Sequence, residues 1–136
     1  MKETKITNVM VSRILKGLGE LSKLNINNFE INYGITKLAK NLLDIEIAYN
    51  LTKKSLMDEH IPIDEKRGTY LIDGNNLYIY KSAENRDKYY EQIMELNETL
   101  VHITNFSIKA SELKKISGLK AETMISINEI IEDDLD

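Results

Sequence analysis

The chain has 136 residues, a length that suits a single domain, residues 1–136, with one buried core. Apolar residues make up 42% of the sequence and charged residues 29%, a balance typical of globular proteins that excludes an intrinsically disordered chain. There is no Cys, which excludes disulfides and thiolate metal sites, and the net charge of −4 excludes a strongly basic domain.

The charge is unevenly distributed along the chain. Residues 1–60 carry nine Lys or Arg against seven Asp or Glu, whereas residues 111–136 carry three against seven. Nucleic-acid binding depends on cations that neutralise phosphates, so this balance argues against it. No stretch approaches the roughly 18 apolar residues of a membrane span, and the first residues contain no apolar run of the secretory type. We therefore expect a cytoplasmic protein without membrane association.

The first predicted element is a helix over residues 5–23, where apolar residues recur at helical spacing between charged ones. Polar turn formers in NINNFEIN, residues 25–32, end this pattern. A second helix is predicted over residues 31–58, because its apolar residues fall on one face at steps of three, four or seven. That face consists of Ile31, Ile35, Leu38, Leu42, Ile45, Tyr49 and Leu56.

The predicted second helix is long for a chain of this size. A helix over 31–58 would span about 42 Å. We therefore expect part of it to pack against another helix or a second subunit, and this expectation favours a homo-oligomer. Together the first two helices would form an N-terminal helical hairpin over residues 1–60.

A β-hairpin is predicted next, because TYLI and LYIYK are β-rich runs on either side of DGNN. Gly74 and Asn75 would occupy the two loop positions of a type II′ turn, since Gly suits the first of them. Ile72 would then face Leu77 across the hairpin. One face of this hairpin is aliphatic enough to join the core, and the other presents tyrosines.

A third helix is predicted over residues 83–98, with Ser82 as its N-cap and Glu84 in its first turn. Residues 99–108 have the composition of an extended segment. This segment would add a third strand to the hairpin and so make a small three-stranded antiparallel sheet within residues 61–110. The candidates for that strand are Val101, Ile103 and Phe106.

SELKKISGLKAETMISINEI, residues 111–130, has the layout of a DNA-binding helix-turn-helix. Ser111 can cap a short helix, Gly118 suits a left-handed position after it, and a second helix is predicted over residues 120–133. However, Lys114 stands where this motif usually carries a small buried residue, and the second helix has no Arg and ends in acid.

We therefore expect a C-terminal helical pair that closes the core, followed by an acidic tail. The core-facing residues of this pair would be Leu113, Ile116, Leu119, Met124, Ile127 and Ile131.

The sequence offers no support for catalysis or metal binding. His60 and His102 are far apart and belong to no ligand motif, so a structural or surface role is expected for them. DGNN lacks the Gly-Lys-Ser/Thr of a phosphate loop, nothing resembles a nucleophile elbow, and the tail EDDLD lacks the Gly and the spacing of a calcium loop. We expect no enzymatic activity, no cofactor and no metal.

Five of the seven Tyr lie between residues 66 and 90, together with Lys, Arg and Asn. Tyr rings stack on bases or bind protein partners, and Arg or Lys hold phosphates, so this region is the candidate ligand or partner site. The alternative interpretation is that these are ordinary strand tyrosines, half-buried against the helices. The candidate site residues are Arg67, Tyr70, Asn75, Asn76, Tyr78, Tyr80, Arg86, Tyr89 and Tyr90.

Several short patterns occur in a fixed order: INYGITKLAKNLLDIE, GTYLIDGNNLYIY, YYEQIMEL, VHITNFSI and an SEL helix pair. This order resembles small phage-encoded proteins, including a family of unknown function common in phages of low-GC Gram-positive bacteria. The resemblance covers most of the chain. It implies a phage or prophage origin and supplies no catalytic residues.

The fold class expected from these elements is α+β, mostly α: two long helices joined by a β-hairpin, plus the C-terminal helical pair. The expected function is that of a non-enzymatic phage accessory protein, a homo-oligomer in the host cytoplasm. It would bind a host protein or a small nucleotide-like signalling molecule and counteract host defence. The alternative is a structural or assembly accessory of the virion, and a DNA-binding regulator acting through residues 111–130 ranks third.

Overall fold

The computed structural model describes residues 5–103 and 106–135. Helices dominate these residues, so the predicted α+β, mostly α class is confirmed. The helices are α1 (Asn8–Ser22), α2 (Phe29–His60), α3 (Ala83–Glu98), α4 (Ala110–Leu113) and α5 (Ala121–Ser126). The strands are β1 (Ile6–Thr7), β2 (Ile63–Asp64), β3 (Thr69–Tyr70), β4 (Leu100–Val101), β5 (Ile108–Lys109) and β6 (Ile131–Glu132).

The chain divides into two compact units. Unit 1 consists of Met1–Glu46 and Leu100–Asp136, and unit 2 consists of Ile47–Thr99. Unit 1 therefore combines segments from both ends of the sequence, whereas unit 2 is one continuous stretch. Helix α2 contributes residues to both units.

The core of unit 1 is built on the apolar stripe of α1. Val11, Ile14, Leu18 and Leu21 recur every three or four residues and are all buried, as expected for the inner face of an amphipathic helix. The helix begins at Asn8 rather than at residue 5, because the two preceding residues are extended and form β1. The buried residues that join this stripe are Ile6, Ile26, Ile31, Ile35, Leu38, Leu42, Ile108, Leu113, Ile127 and Ile130.

Helix α5 packs against α1 at a point that requires glycine. A Cβ at Gly17 would lie 2.3 Å from Ser126 Oγ and 2.5 Å from Ile127 Cγ2. Beside this approach, Arg13 donates a hydrogen bond of 3.0 Å to the carbonyl oxygen of Ser126. This contact satisfies a carbonyl group that the end of a helix leaves without an internal partner.

Helix α5 ends at Ser126, so the prediction of a helix over 120–133 is wrong. A short 3₁₀ turn follows, and β6 then pairs in parallel with β5, so that Ile108 lies opposite Ile131. The sequence did not predict this pair. Asp136, the last residue of the acidic tail, lies outside the described residues.

The helix-turn-helix layout of residues 111–130 is not formed. Helix α4 has only four residues and α5 only six, which is too short for a recognition helix of that motif. Gly118 has φ +83°, as its predicted left-handed position requires. Of the residues expected in the core, Met124 is exposed, whereas Leu113 and Ile127 are buried and Ile116, Leu119 and Ile131 pack against the core.

The predicted third strand does not join the hairpin. Val101 instead pairs with Ile6 in the antiparallel β1–β4 pair of unit 1. Ile103 and Phe106 lie outside the strands and pack against the core of the same unit. The three-stranded sheet is therefore wrong. Two residues of the predicted extended segment, Thr104 and Asn105, lie outside the described part of the chain.

In unit 2 the hairpin differs from the predicted one. Strands β2 and β3 pair around a turn that ends at Gly68, which has φ +70°. DGNN makes a second reversal, in which Ile72 lies opposite Tyr78 and not opposite Leu77. The predicted register and type II′ turn are therefore wrong.

The side chain of Asp73 explains this register. Its Oδ1 accepts the backbone N–H groups of Asn75 at 2.7 Å and of Leu77 at 3.1 Å. The residue with positive φ is Asn76 (62°) and not Gly74. This arrangement is that of a three-residue hairpin loop, in which a turn precedes a left-handed residue, a conformation that Asn tolerates well.

Helix α3 coincides with its predicted limits. The N-cap Ser82 accepts a hydrogen bond of 3.0 Å from the backbone N–H of Asn85, as the sequence predicted. The small core of unit 2 forms where α3 packs on the end of α2 and on the segment that connects these two helices. Met57, Ile61 and Tyr89 are buried there, with Leu56, Tyr70, Tyr80 and Ile93 packed around them.

Candidate binding site

Five tyrosines of unit 2 make ring contacts in two groups, which together we call the tyrosine cluster: Tyr70 with Tyr78, and Tyr80 with Tyr89 and Tyr90. Tyr70 and Tyr80 both pack against the small core that contains Tyr89. The ring of Tyr80 lies 5.5 Å from that of Tyr89 and 5.7 Å from that of Tyr90, and the last two lie 6.1 Å apart. Tyr70 and Tyr78 meet edge to face at 6.2 Å. These are distances at which aromatic pairs attract each other.

The cluster combines buried and exposed rings. Tyr89 is only 6% exposed, and Tyr70 and Tyr80 are half-buried, whereas Tyr78 and Tyr90 are 44% and 50% exposed. One part of the cluster therefore packs in the core, as the alternative interpretation expected, and the other part presents its rings to solvent.

The phenol groups at the base of the cluster are held in their neutral form. The hydroxyl of Tyr70 donates a hydrogen bond to Asp58, which raises the pKa of Tyr70 to about 12 and lowers the pKa of Asp58. Burial, followed by a hydrogen bond with Tyr90, raises the pKa of Tyr80. Burial also raises the pKa of Tyr89. At Tyr80 and Tyr89 a charged phenolate is disfavoured mainly because burial removes it from water, whereas at Tyr70 the hydrogen bond to Asp58 is the main cause.

Beside the cluster lies an open groove of about 530 Å³, which we call the tyrosine groove. One wall is the extended chain after the DGNN loop, and the other is the first two turns of α3. This volume falls within the range that small ligands or the side chains of a partner occupy, roughly 300–1,000 Å³. The lining residues are Asp73, Leu77, Tyr78, Ile79, Tyr80, Ser82, Ala83, Arg86 and Tyr90.

A buried polar network fixes the start of α3 against the end of α2. His60 is 1% exposed and is bonded through both ring nitrogens. The Asn85 amide donates to Nδ1 at 3.1 Å, and Nε2 donates to Gln92 Oε1 at 2.7 Å. The Ser82 hydroxyl donates to Asn85 Oδ1 at 2.6 Å. In these amide orientations Nδ1 accepts and Nε2 donates, so both ring nitrogens of His60 hold α3 against the end of α2.

The structure brings together some of the predicted site residues and separates others. Tyr78, Tyr80, Arg86 and Tyr90 line the tyrosine groove, and Tyr70 and Tyr89 belong to the cluster behind it. The groove lining does not include Asn75 or Asn76, which lie exposed in the loop before it, or Arg67, which lies exposed in the turn between β2 and β3.

Two large apolar residues of the groove, Leu77 and Ile79, were not among the predicted site residues, and they are 64% and 40% exposed. The sequence assigned them to the aliphatic face of the hairpin.

Within residues 5–103 and 106–135, no three His, Asp or Glu side chains are grouped so that they could hold a metal ion. No helix in this part of the chain combines the length and the apolar character needed to cross a bilayer. The chain matches no protein-family model, no curated protein and no solved structure. The chemistry of the tyrosine groove therefore has to be derived from its own residues.

Proposed function

We propose that this protein is a non-enzymatic binding protein and that a partner protein occupies the tyrosine groove. The observation that carries the proposal is the exposure of large side chains around one concave surface: Leu77, Tyr78 and Tyr90 are each between 44% and 64% exposed there. Burying apolar surface contributes about 25 cal/mol per Å², and Tyr and Arg are enriched among the residues that dominate interface energies.

The charges of the groove favour a protein over a nucleotide-like ligand. Its lining contains one cation, Arg86, and one anion, Asp73. Tight binding of several phosphates requires several cations or bidentate donors. A protein segment, in contrast, can satisfy a mixed lining with one acidic residue and several apolar ones.

The phage or prophage origin implied by the sequence resemblance belongs to the same proposal. With that origin the partner is a host protein, and binding interferes with its action against the phage. The protein needs no catalytic residue for this role, since occupation of the partner's surface is sufficient.

The direct test compares variants of the groove with a variant elsewhere. Tyr78→Ala and Tyr90→Ala remove exposed rings from the groove, whereas Tyr33→Ala removes a ring of similar exposure from unit 1. Partners are captured from host lysate with the unmodified protein, identified, and titrated against each variant. We expect at least tenfold weaker binding for the groove variants, a loss of about 1.4 kcal/mol, and unchanged binding for Tyr33→Ala.

Two results would overturn this assignment. If both groove variants bind the partner as tightly as the unmodified protein, the site lies elsewhere. If cyclic or linear nucleotides raise the melting temperature and Arg86→Ala abolishes the rise, the ligand is nucleotide-like, since a ligand stabilises the folded state it binds.

A further inference from the structure

The tyrosine groove runs beside an extended segment, residues 77–80. One edge of this segment forms backbone hydrogen bonds with residues 71–73. The N–H of Asp73 donates to the carbonyl of Leu77 at 2.8 Å, and the N–H of Ile79 donates to the carbonyl of Leu71 at 3.0 Å. Between these two bonds, Tyr78 lies directly opposite Ile72. Tyr78 and Ile72 therefore form a non-hydrogen-bonded pair of an antiparallel ladder. In such a pair, the backbone N–H and C=O of each residue point away from the neighbouring strand.

The backbone N–H and C=O of Tyr80 also point outward, because alternate residues of an extended chain direct these groups to the same side. Lys81 is consistent with this alternation, since its N–H donates to the carbonyl of His60 at 2.9 Å on the inner side. Among the described residues, no hydrogen bond engages the backbone N–H or C=O of Tyr78 or Tyr80. Segment 77–80 therefore has a free outer edge.

The free edge and the groove coincide. All four residues from 77 to 80 line the groove, although their side chains alternate between two faces. A surface that touches four consecutive residues of an extended chain must run along its edge. The opposite wall comes from α3, where Ala83, Arg86 and Tyr90 follow one another at helical spacing.

We propose that the occupant of the groove is an extended segment of the partner protein, which adds as a β-strand to the edge 77–80 opposite α3. This inference rests on the proposed function. A row of free N–H and C=O groups is a template for strand addition, and proteins usually protect such an edge with Lys, Pro or a covering element. The run LYIY contains neither a charge nor a proline.

The charges of the groove define the segment further. The carboxylate of Asp73 keeps its charge, but its Oδ1 accepts the N–H groups of Asn75 and Leu77 and is therefore held in the loop. Arg86 is half exposed, and within residues 5–103 and 106–135 its guanidinium pairs only through Nε, with its sequence neighbour Asp87, at 3.3 Å. The charged group of the groove that can bind a further partner is therefore the guanidinium of Arg86. The bound segment carries an acidic residue that faces Arg86 and a large apolar residue that faces Tyr90.

A random peptide library displayed against the full protein supplies the probe. The tightest peptide is synthesised with an N-methyl group at each backbone amide in turn, because an N-methyl group removes one donor and leaves the side chain in place. Strand addition predicts that N-methylation at alternate positions weakens binding at least tenfold, while the positions between them tolerate it. The amides of Tyr78 and Tyr80 should become protected from hydrogen exchange in the complex.

A matched pair of variants tests the charge. Arg86→Ala should weaken peptides that contain an acidic residue at least tenfold, whereas Arg67→Ala, which removes an exposed Arg outside the groove lining, should leave them unchanged. Replacing the acidic residue of the peptide by its amide should reproduce the loss and abolish the effect of Arg86→Ala.

The outcomes separate this inference from the proposed function. If the peptide binds, competes with the partner protein and tolerates every N-methyl group, the groove is the binding site but strand addition is wrong. If no peptide is enriched while Tyr78→Ala still releases the partner protein, strand addition is again wrong and the proposed function stands. If neither peptide nor partner depends on the groove, both are wrong.

Discussion

Arg13 and Glu129, 116 residues apart in the sequence, form a bidentate ion pair, with Nη1 2.9 Å from Oε1 and Nη2 2.6 Å from Oε2. The same guanidinium donates to the carbonyl of Ser126, so a single side chain joins α1 to the end of α5 and to the turn after it. This contact connects the two ends of the chain that together form unit 1.

Replacing Arg13 by Ala should lower the free energy of unfolding by about 1 kcal/mol, because the pair is partly exposed and therefore partly screened by water. Urea denaturation of the variant measures the loss. Lys16→Ala, a change on the exposed face of the same helix, is the control and should have little effect. An equal loss in both variants would show that the ion pair contributes nothing specific.

The same pair predicts a dependence on acid. The hydrogen bond from Arg13 lowers the pKa of Glu129 in the folded state. A lowered carboxyl pKa stabilises the fold above the unfolded value of about 4.3, and this stabilisation is lost as the pH falls through the folded value. As the pH falls below about 4, the difference in stability between the unmodified protein and Arg13→Ala should therefore shrink to the part that the bond from Arg13 to the Ser126 carbonyl contributes. A constant difference across the acid range would contradict this origin.

The contact of Gly17 with α5 predicts opposite effects of two similar substitutions in α1. Gly17→Ala places a methyl group against Ser126 and Ile127, and overpacking of this kind costs about 1–3 kcal/mol. Gly19→Ala meets no atom within 4 Å and should stabilise the helix by roughly 0.5–1 kcal/mol, because Ala is the better helix former. Thermal unfolding of both variants compares them directly, and a stable Gly17→Ala would mean that α5 moves away at little cost.

The hydrogen bond between Tyr70 and Asp58 predicts a late step in the alkaline titration of the tyrosines. The folded pKa of Tyr70, about 12, lies above the unfolded value of about 10, so its contribution to stability is present below pH 10 and disappears as the pH rises to 12. Tyr70→Phe should remove a component near pH 12 from the phenolate absorbance. Asp58→Asn should move that component to lower pH, and an unchanged titration in both variants would exclude the interaction.

The buried network around His60 should be sensitive to the loss of one member. Asn85→Ala leaves Nδ1 of His60 without its donor and the Ser82 hydroxyl without its acceptor. An unsatisfied buried polar group costs about 1–3 kcal/mol. Asn50→Ala, on an exposed position of α2, is the matched control and should change stability little. Equal stabilities would mean that water replaces the lost amide.

The elements that were predicted correctly are those with a local cause. Helix α3 follows from the cap at Ser82, and the left-handed conformation of Gly118 follows from the absence of a side chain. The hairpin register was wrong because a side chain, the carboxylate of Asp73, decides it by accepting two backbone N–H groups. The pattern of apolar and polar residues does not predict such a contact.

The pairing of strands that are distant in the sequence could not be predicted, for a different reason. Val101 favours a strand whichever segment it pairs with. Nothing in its local sequence therefore shows that its partner is Ile6, near the start of the chain, and not the edge of the hairpin. For the candidate site, the sequence indicated the region that contains the tyrosine groove and four of the residues that line it. It also included Arg67, Asn75 and Asn76, because composition alone cannot separate the lining of a groove from the loops before it.

The division of the chain has a consequence for the order of folding. Unit 2 is continuous, so all of its segments have been synthesised once residue 99 has left the ribosome. The strand partner of Ile6, the parallel partner of β5 and the helix that packs on Gly17 all come later in the chain. Unit 2, which carries the tyrosine groove, can therefore fold during translation. Unit 1 can complete its fold only after the C-terminal segment has been synthesised.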